Sequence, residues 1–140
     1  LALMFTLILF LLKEPATSEF YTLHYSTLAD LLAGYEERRE AFEEQGVSIF
    51  AGTVDSEEKT QEVAAELGFP VAYGLTRADG DAIGAWWEER RDHIQPSEFL
   101  LSRSGKVMFS TYSNSPVGRM DPEETLTLIK YLNAKRAKVP

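Results

Sequence analysis

Cysteine is absent from all 140 residues. That excludes disulfides, iron–sulfur clusters, thiolate zinc sites and every mechanism in which this chain's own thiolate attacks. Histidine is scarce: His24 and His93 are the only two. A protein zinc site needs three or four ligands at workable spacing. Glu19, His24 and Asp30 do not share a helix face, and His93 follows a helical pattern as an end-of-helix cation. No metal and no cofactor are expected. Positive charge is short too, with 14 Lys and Arg against 22 Asp and Glu and a net charge of −8. A nucleic-acid binder needs a basic face to replace counterions around phosphate. The one basic cluster, residues 130–138, is what a helix C-terminus favours. Nucleic acid and an anionic membrane surface are therefore not expected as partners. G-x-G-x-x-G, P-loop and G-x-S-x-G motifs are all missing. His24 lies six residues beyond Ser18 and points away from it around a helix, so no Ser–His–acid triad forms.

Long apolar runs are missing as well. Residues 1–12, LALMFTLILFLL, fall short of the about 20 that cross a bilayer. They lack the initial Met and basic flank of a signal peptide, and a chain starting at Leu1 reads as trimmed. The run is read as a buried central strand over 7–12, covered on both faces, with a trimmed signal sequence as the alternative. No membrane segment is expected. With no disulfide to form, the expected location is cytoplasmic.

What is present suits one compact domain over 1–140. Apolar residues make up 44 %, including 8 Phe, 6 Tyr and 2 Trp, ample for a single core. After the first strand, Pro15–Ser18 breaks the run, and Thr17 or Ser18 caps a helix carrying Phe20, Leu23, Leu28, Leu31, Leu32 and Tyr35. Gly34 ends or interrupts it. A charged helical stretch over 36–45 stops at Gly46. A strand over 47–54 follows, then a helix capped by Asp55 or Ser56 that ends at Gly68. Residues 77–81, with Asp79-Gly80-Asp81, read as a turn, and 82–91 as a helix bearing Trp86 and Trp87. One Trp is expected in the core and one at the surface. Residues 96–112 form a hairpin around Arg103-Ser104-Gly105, and Asp121-Pro122-Glu123-Glu124 opens a last helix. Leu126, Leu128, Ile129 and Leu132 are expected on its inner face. Parallel crossovers followed by a hairpin predict an α/β fold, thioredoxin-like, with a mixed central sheet and helices on both faces.

Three segments carry a family resemblance: VSIFAGTVDSEEKTQEVAAELGFPVAYGLTRADGDAIGAWW, EFLLSRSGKVMFSTY and GRMDPEETLTLIKYL. In this order the chain resembles the peroxiredoxin-like (AhpC/TSA) branch of the thioredoxin superfamily, antioxidant oxidoreductases that reduce peroxides through a thiol. In that family the first strand ends in a Cys-bearing turn at a helix N-terminus. Free amides and the helix dipole lower the thiol pKa there, and the thiolate is oxidised to a sulfenic acid that another thiol resolves. The resemblance places Ser18 at the first cysteine position and Tyr21 at the second, with Thr17 beside them. It also implies that Pro96 stands where thioredoxins carry a cis-proline, or simply opens a strand. Arg119, in SPVGRM, is either the arginine that polarises peroxide or a surface loop residue.

A serine hydroxyl has no oxidation ladder like that of sulfur, and a helix dipole of about 1 kcal/mol does not make it one. No catalytic residue is established. Two readings stay open: a cysteine-less member of a redox family, or a fold kept as a binding or dimerisation module. The association expected is a homodimer or a protein partner.

Overall fold

The computed structural model describes residues 5–10, 29–115 and 118–138. Within them a five-stranded sheet has the order β3-β2-β1-β6-β7, formed by β1 (Phe5–Phe10), β2 (Val47–Gly52), β3 (Val71–Ala72), β6 (Ser97–Ser102) and β7 (Val107–Tyr112). The apolar N-terminal run is the central strand, shifted two residues earlier than expected. It pairs in parallel with β2, Phe5 against Val47 through Phe10 against Gly52. It pairs antiparallel with β6, Phe10 against Ser97. Two parallel pairs and two antiparallel pairs make the sheet mixed.

Helix α1, residues 29–37, leads into α2 (Arg39–Glu44) with a break at Arg38. Gly34 does not stop α1. A Cβ there would stand 3.0 Å from Pro122 Cγ, so the glycine lets the last helix approach closely. Helix α3 (Glu57–Ala64) starts at Ser56, whose hydroxyl accepts from the Lys59 amide. Helix α5 (Pro122–Ala137) has Asp121 as N-cap, proline in its first turn and Lys135 and Arg136 in its last, each favoured by the helix dipole.

The stretch read as a turn is instead helix α4 (Arg77–Ile83). Thr76 and Asp79 form a capping box, each accepting from the other's backbone N–H. Gly80 is buried because Ile94 packs where a Cβ would stand, 3.3 Å away. The stretch read as a helix over 82–91 ends early: Gly84 closes α4 with φ 81°, and β4 (Trp87–Glu88) pairs with β5 (His93–Ile94) as a small hairpin. His93 is consequently buried in a strand rather than ending a helix.

Helices α1, α2, α3 and α5 cover one face of the sheet. Leu32, Tyr35, Phe42, Ile49, Leu100, Met120, Leu126 and Ile129 fill that core, with Val63 and Leu67 against it. Leu128 points outward from α5 instead. The other face holds Phe99, Ile94 and Ala85, with Ile83, Trp87 and Tyr112 packed around them. Trp86 is exposed and stacks on Tyr112 at 4.6 Å between ring centroids, while Trp87 is half-buried against the core rather than within it. Each fully buried large apolar side chain contributes about 1.5–3 kcal/mol to holding these layers together.

Candidate functional site

The register fixes where the site must be sought. Strand β1 ends at Phe10 beside Ser97, the first residue of β6, and β2 ends at Gly52 on its other side. In open α/β sheets, sites form outside the carboxyl ends of such strands. From there the chain enters residues 11–28. Thr17, Ser18 and Tyr21, the expected redox-motif positions, lie in that segment, outside the described residues, as does His24.

Pro96 stands at this end of the sheet. No cis peptide bond occurs among the described residues, so Pro96 is trans and opens β6, while its carbonyl accepts from the Ser113 amide at 2.9 Å. Arg119 is not a surface loop residue. Its side chain is 7 % exposed and lies 3.8 Å from the Glu98 carboxylate, which is 1 % exposed. Strand alternation turns Glu98 toward the helix-covered face, where it accepts a hydrogen bond from the Thr111 hydroxyl and one from the Met120 amide. Tyr35, on α1, donates to the Met120 carbonyl at 2.7 Å and lies 3.3 Å from the Thr125 hydroxyl. Thr125 in turn donates to the Asp121 carbonyl. A strand, an edge strand, a loop and two helices are thus tied at one buried polar point.

Burial governs its electrostatics. It raises the Glu98 carboxyl above the ordinary carboxylate range, against the pull of Thr111, Arg119 and the Met120 amide. It lowers Arg119, against the field of Glu98 and Tyr35. It also pushes the Tyr35 phenol well up. The cluster is closed to solvent and ties the loop after β7 to the sheet and to α1. Glu98, Tyr35, Thr111 and Thr125 were not singled out from sequence. The available signal was an acid standing in the apolar strand run Phe99-Leu100-Leu101, since buried carboxylates are almost always paired.

A second feature lies between α1 and α3. It is a groove of about 410 Å³ with Ala29, Leu32, Ala33, Val63 and Leu67 as its apolar lining and Glu36, Glu37, Glu62 and Glu66 along it. Glu36 is already engaged, bonding Arg39 and the Gly68 amide. Among the described residues no group of three or more His, Cys, Asp or Glu could hold a metal ion, and no helix is long and apolar enough to cross a membrane.

This architecture is that of a thioredoxin-like α/β domain. No protein-family model and no curated protein matches the sequence. Solved structures do match in shape. Mycobacterium tuberculosis AhpC superposes with a TM-score of 0.73 at 16 % identity, over 96 % of this chain and 72 % of that one. The mitochondrial 2-Cys peroxiredoxin of Plasmodium falciparum gives 0.73 at 14 %, over 96 % and 79 %. Enterococcus faecalis AhpC gives 0.72 at 12 %, over 98 % and 79 %. Within the thioredoxin-like class, then, the chain has the peroxiredoxin-like form of the fold, and it has it without a cysteine.

Proposed function

We propose that this chain is a peroxiredoxin-like domain with no thiol peroxidase chemistry of its own, retained as a non-catalytic binding or dimerisation module. The observation that supports this is the lack of any cysteine in a chain of this fold. Peroxide reduction on this scaffold takes its two electrons from sulfur, which ends as a sulfenic acid. Neither a serine nor a tyrosine at the corresponding turn supplies them by that route. The buried Glu98–Arg119 pair agrees with the reading, because it spends its charges on holding the fold. A cytoplasmic location belongs to the same proposal, since no disulfide calls for an oxidising compartment.

The test is peroxide consumption by the purified chain with a dithiol donor. Loss of peroxide at the rate of a protein-free blank is expected. Turnover above that blank, reproducible across preparations and abolished by heat, sinks the proposal and restores the antioxidant reading.

A further inference from the structure

Two facing stripes build the groove between α1 and α3. On α1 the stripe is Ala29, Leu32 and Ala33, spaced three and four apart and so on one side of the helix. Opposite stand Val63 on α3 and Leu67 in the turn that follows. Leu32 is buried and closes the floor, Val63 and Leu67 are half-buried, and Ala29 and Ala33 are exposed. Two alanines, where longer side chains could stand, leave a space of about 410 Å³ open. The walls are tied together, because the Glu36 carboxylate on α1 accepts from the Gly68 amide at 2.7 Å. The groove is therefore formed before any ligand arrives, which lowers the cost of binding.

Its rim carries one sign of charge. Glu58, Glu62 and Glu66 fall four apart along α3 and the turn after it, and like charges at that spacing repel. Neither Glu62 nor Glu66 has a cation partner among the described residues. Glu37 lines the other wall, with Arg38 3.6 Å away. An apolar floor between unpaired acids fits an apolar, cationic ligand. Both walls are helices, whose backbone groups are spent within their own turns, so an extended peptide finds no sheet edge to pair with. A helix satisfies its own backbone and can lay one face into such a groove. The net charge of −8 draws a basic partner from a distance and repels an acidic one.

We infer that the α1–α3 groove docks a basic amphipathic helix of another protein. The apolar stripe of that helix, at i, i+3, i+4 and i+7, covers Leu32, Val63 and Leu67, and its flanking Lys or Arg side chains pair with Glu37, Glu62 and Glu66. The inference names a partner within the binding reading proposed above and rests on it.

Fluorescence anisotropy tests it with a labelled peptide of about 14 residues, Leu at those four positions and Lys beside them. Saturable binding to the purified chain at low salt is expected, with a dissociation constant of about 10 μM, and added salt should weaken it. A peptide of the same composition with its apolar spacing scrambled should bind roughly tenfold more weakly, and one with Glu for Lys should not bind. Glu62→Lys combined with Glu66→Lys, and separately Ala33→Trp, alter exposed residues and should leave the circular dichroism spectrum unchanged. The charge reversal should switch the preference to the acidic peptide. Ala33→Trp fills the groove and should weaken the basic peptide roughly tenfold. The inference is overturned if the basic peptide does not saturate, if the scrambled peptide binds as well, or if either variant binds as wild type does. Light scattering that shows a dimer which the peptide dissociates also overturns it, since a second copy is then the occupant. Peroxide turnover is measured without the peptide, so the lack of catalysis and this choice of partner fail separately.

Discussion

On the face covered by α1, α2, α3 and α5, the sheet buries a charged pair, Glu98 and Arg119, within a network reaching Tyr35, Thr111 and Thr125. On the opposite face it buries Phe99, Ile94 and Ala85 and leaves Phe50 and Trp86 exposed. The first face can hold ions because five chain segments converge to surround them. Removing two charges from water costs several kcal/mol each, and only close partners return it. The second face has a short helix and a hairpin of two two-residue strands over it, and its order depends on shape, with Gly80 letting Ile94 come close. Both sides have an apolar core, but the first adds a buried charge and hydrogen-bond network to it while the second depends on close steric fit, and the two should fail differently when disturbed.

The largest expected effect is on the charged side. Arg119→Ala leaves Glu98 buried with no cation opposite, at a cost of about 3–5 kcal/mol in urea unfolding. The paired change Glu98→Leu with Arg119→Met should recover most of that loss, since an apolar pair has no desolvation penalty. If the single change costs under about 1 kcal/mol, within the range of an exposed ion pair, the pair does not hold that face together.

Gly80→Val tests the other side. Added carbons meet Ile94, whose side-chain atoms lie 3.3 and 3.4 Å from where a Cβ would stand. Overpacking of this kind costs about 1–3 kcal/mol. Near-ultraviolet dichroism from Trp86 and Trp87 should change. An unchanged spectrum together with unchanged stability would show that this face tolerates volume and that steric fit does not order it.

The pH dependence sharpens the contrast. Burial raises the Glu98 carboxyl in the folded state. Just above the ordinary glutamate value of about 4.3, the unfolded chain has released this proton and the folded chain still holds it. The folded state then binds more protons, so this group's contribution to stability falls as pH rises through that window and is flat below it. Glu98→Gln removes the slope. Wild type minus variant should therefore become less favourable from about pH 4 upward, by at most ~1.4 kcal/mol per pH unit. A difference that grows with pH in wild type's favour would mean that Arg119 and Thr111 outweigh burial.

Much of this fold could be read from local sequence. Strand β1 declared itself by its unbroken apolar run, and α5 by Asp121-Pro122 with acids behind them. Ser56 marked the start of α3. The failures were non-local. Gly80 looks like a turn residue until Ile94 is seen above it, and the Thr76–Asp79 capping box was masked by the same glycine. Trp86 and Trp87 suggested a continuing helix, but Gly84 had already ended it. The Glu98–Arg119 pair joins residues on a strand and a distant loop, a contact that periodicity does not carry. Arg119 was weighed as a site residue or a surface residue, and the described geometry buries it beside Glu98, which removes the surface reading. The positions of Thr17, Ser18 and Tyr21 depend on segment 11–28, so that part of the reading still rests on resemblance.

The smallest expected effect lies where the charged side meets α5. The Asp121 side chain accepts from the Glu124 amide at 2.9 Å, while its backbone carbonyl holds Thr125. Asp121→Ala removes the first contact and keeps the second, at a cost of about 1 kcal/mol. Asp121→Asn keeps the cap oxygen and loses only the charge, so it should cost no more than the few tenths to ~1 kcal/mol of a dipole contact. If the asparagine variant loses as much as the alanine variant, the charge is what counts at Asp121, and the helix start belongs with the Glu98–Arg119 electrostatics. If it retains most of the stability, hydrogen-bond geometry sets the α5 terminus, and the loop carrying Arg119 is held at its far end by a neutral contact. Equilibrium unfolding of the two variants side by side decides between these.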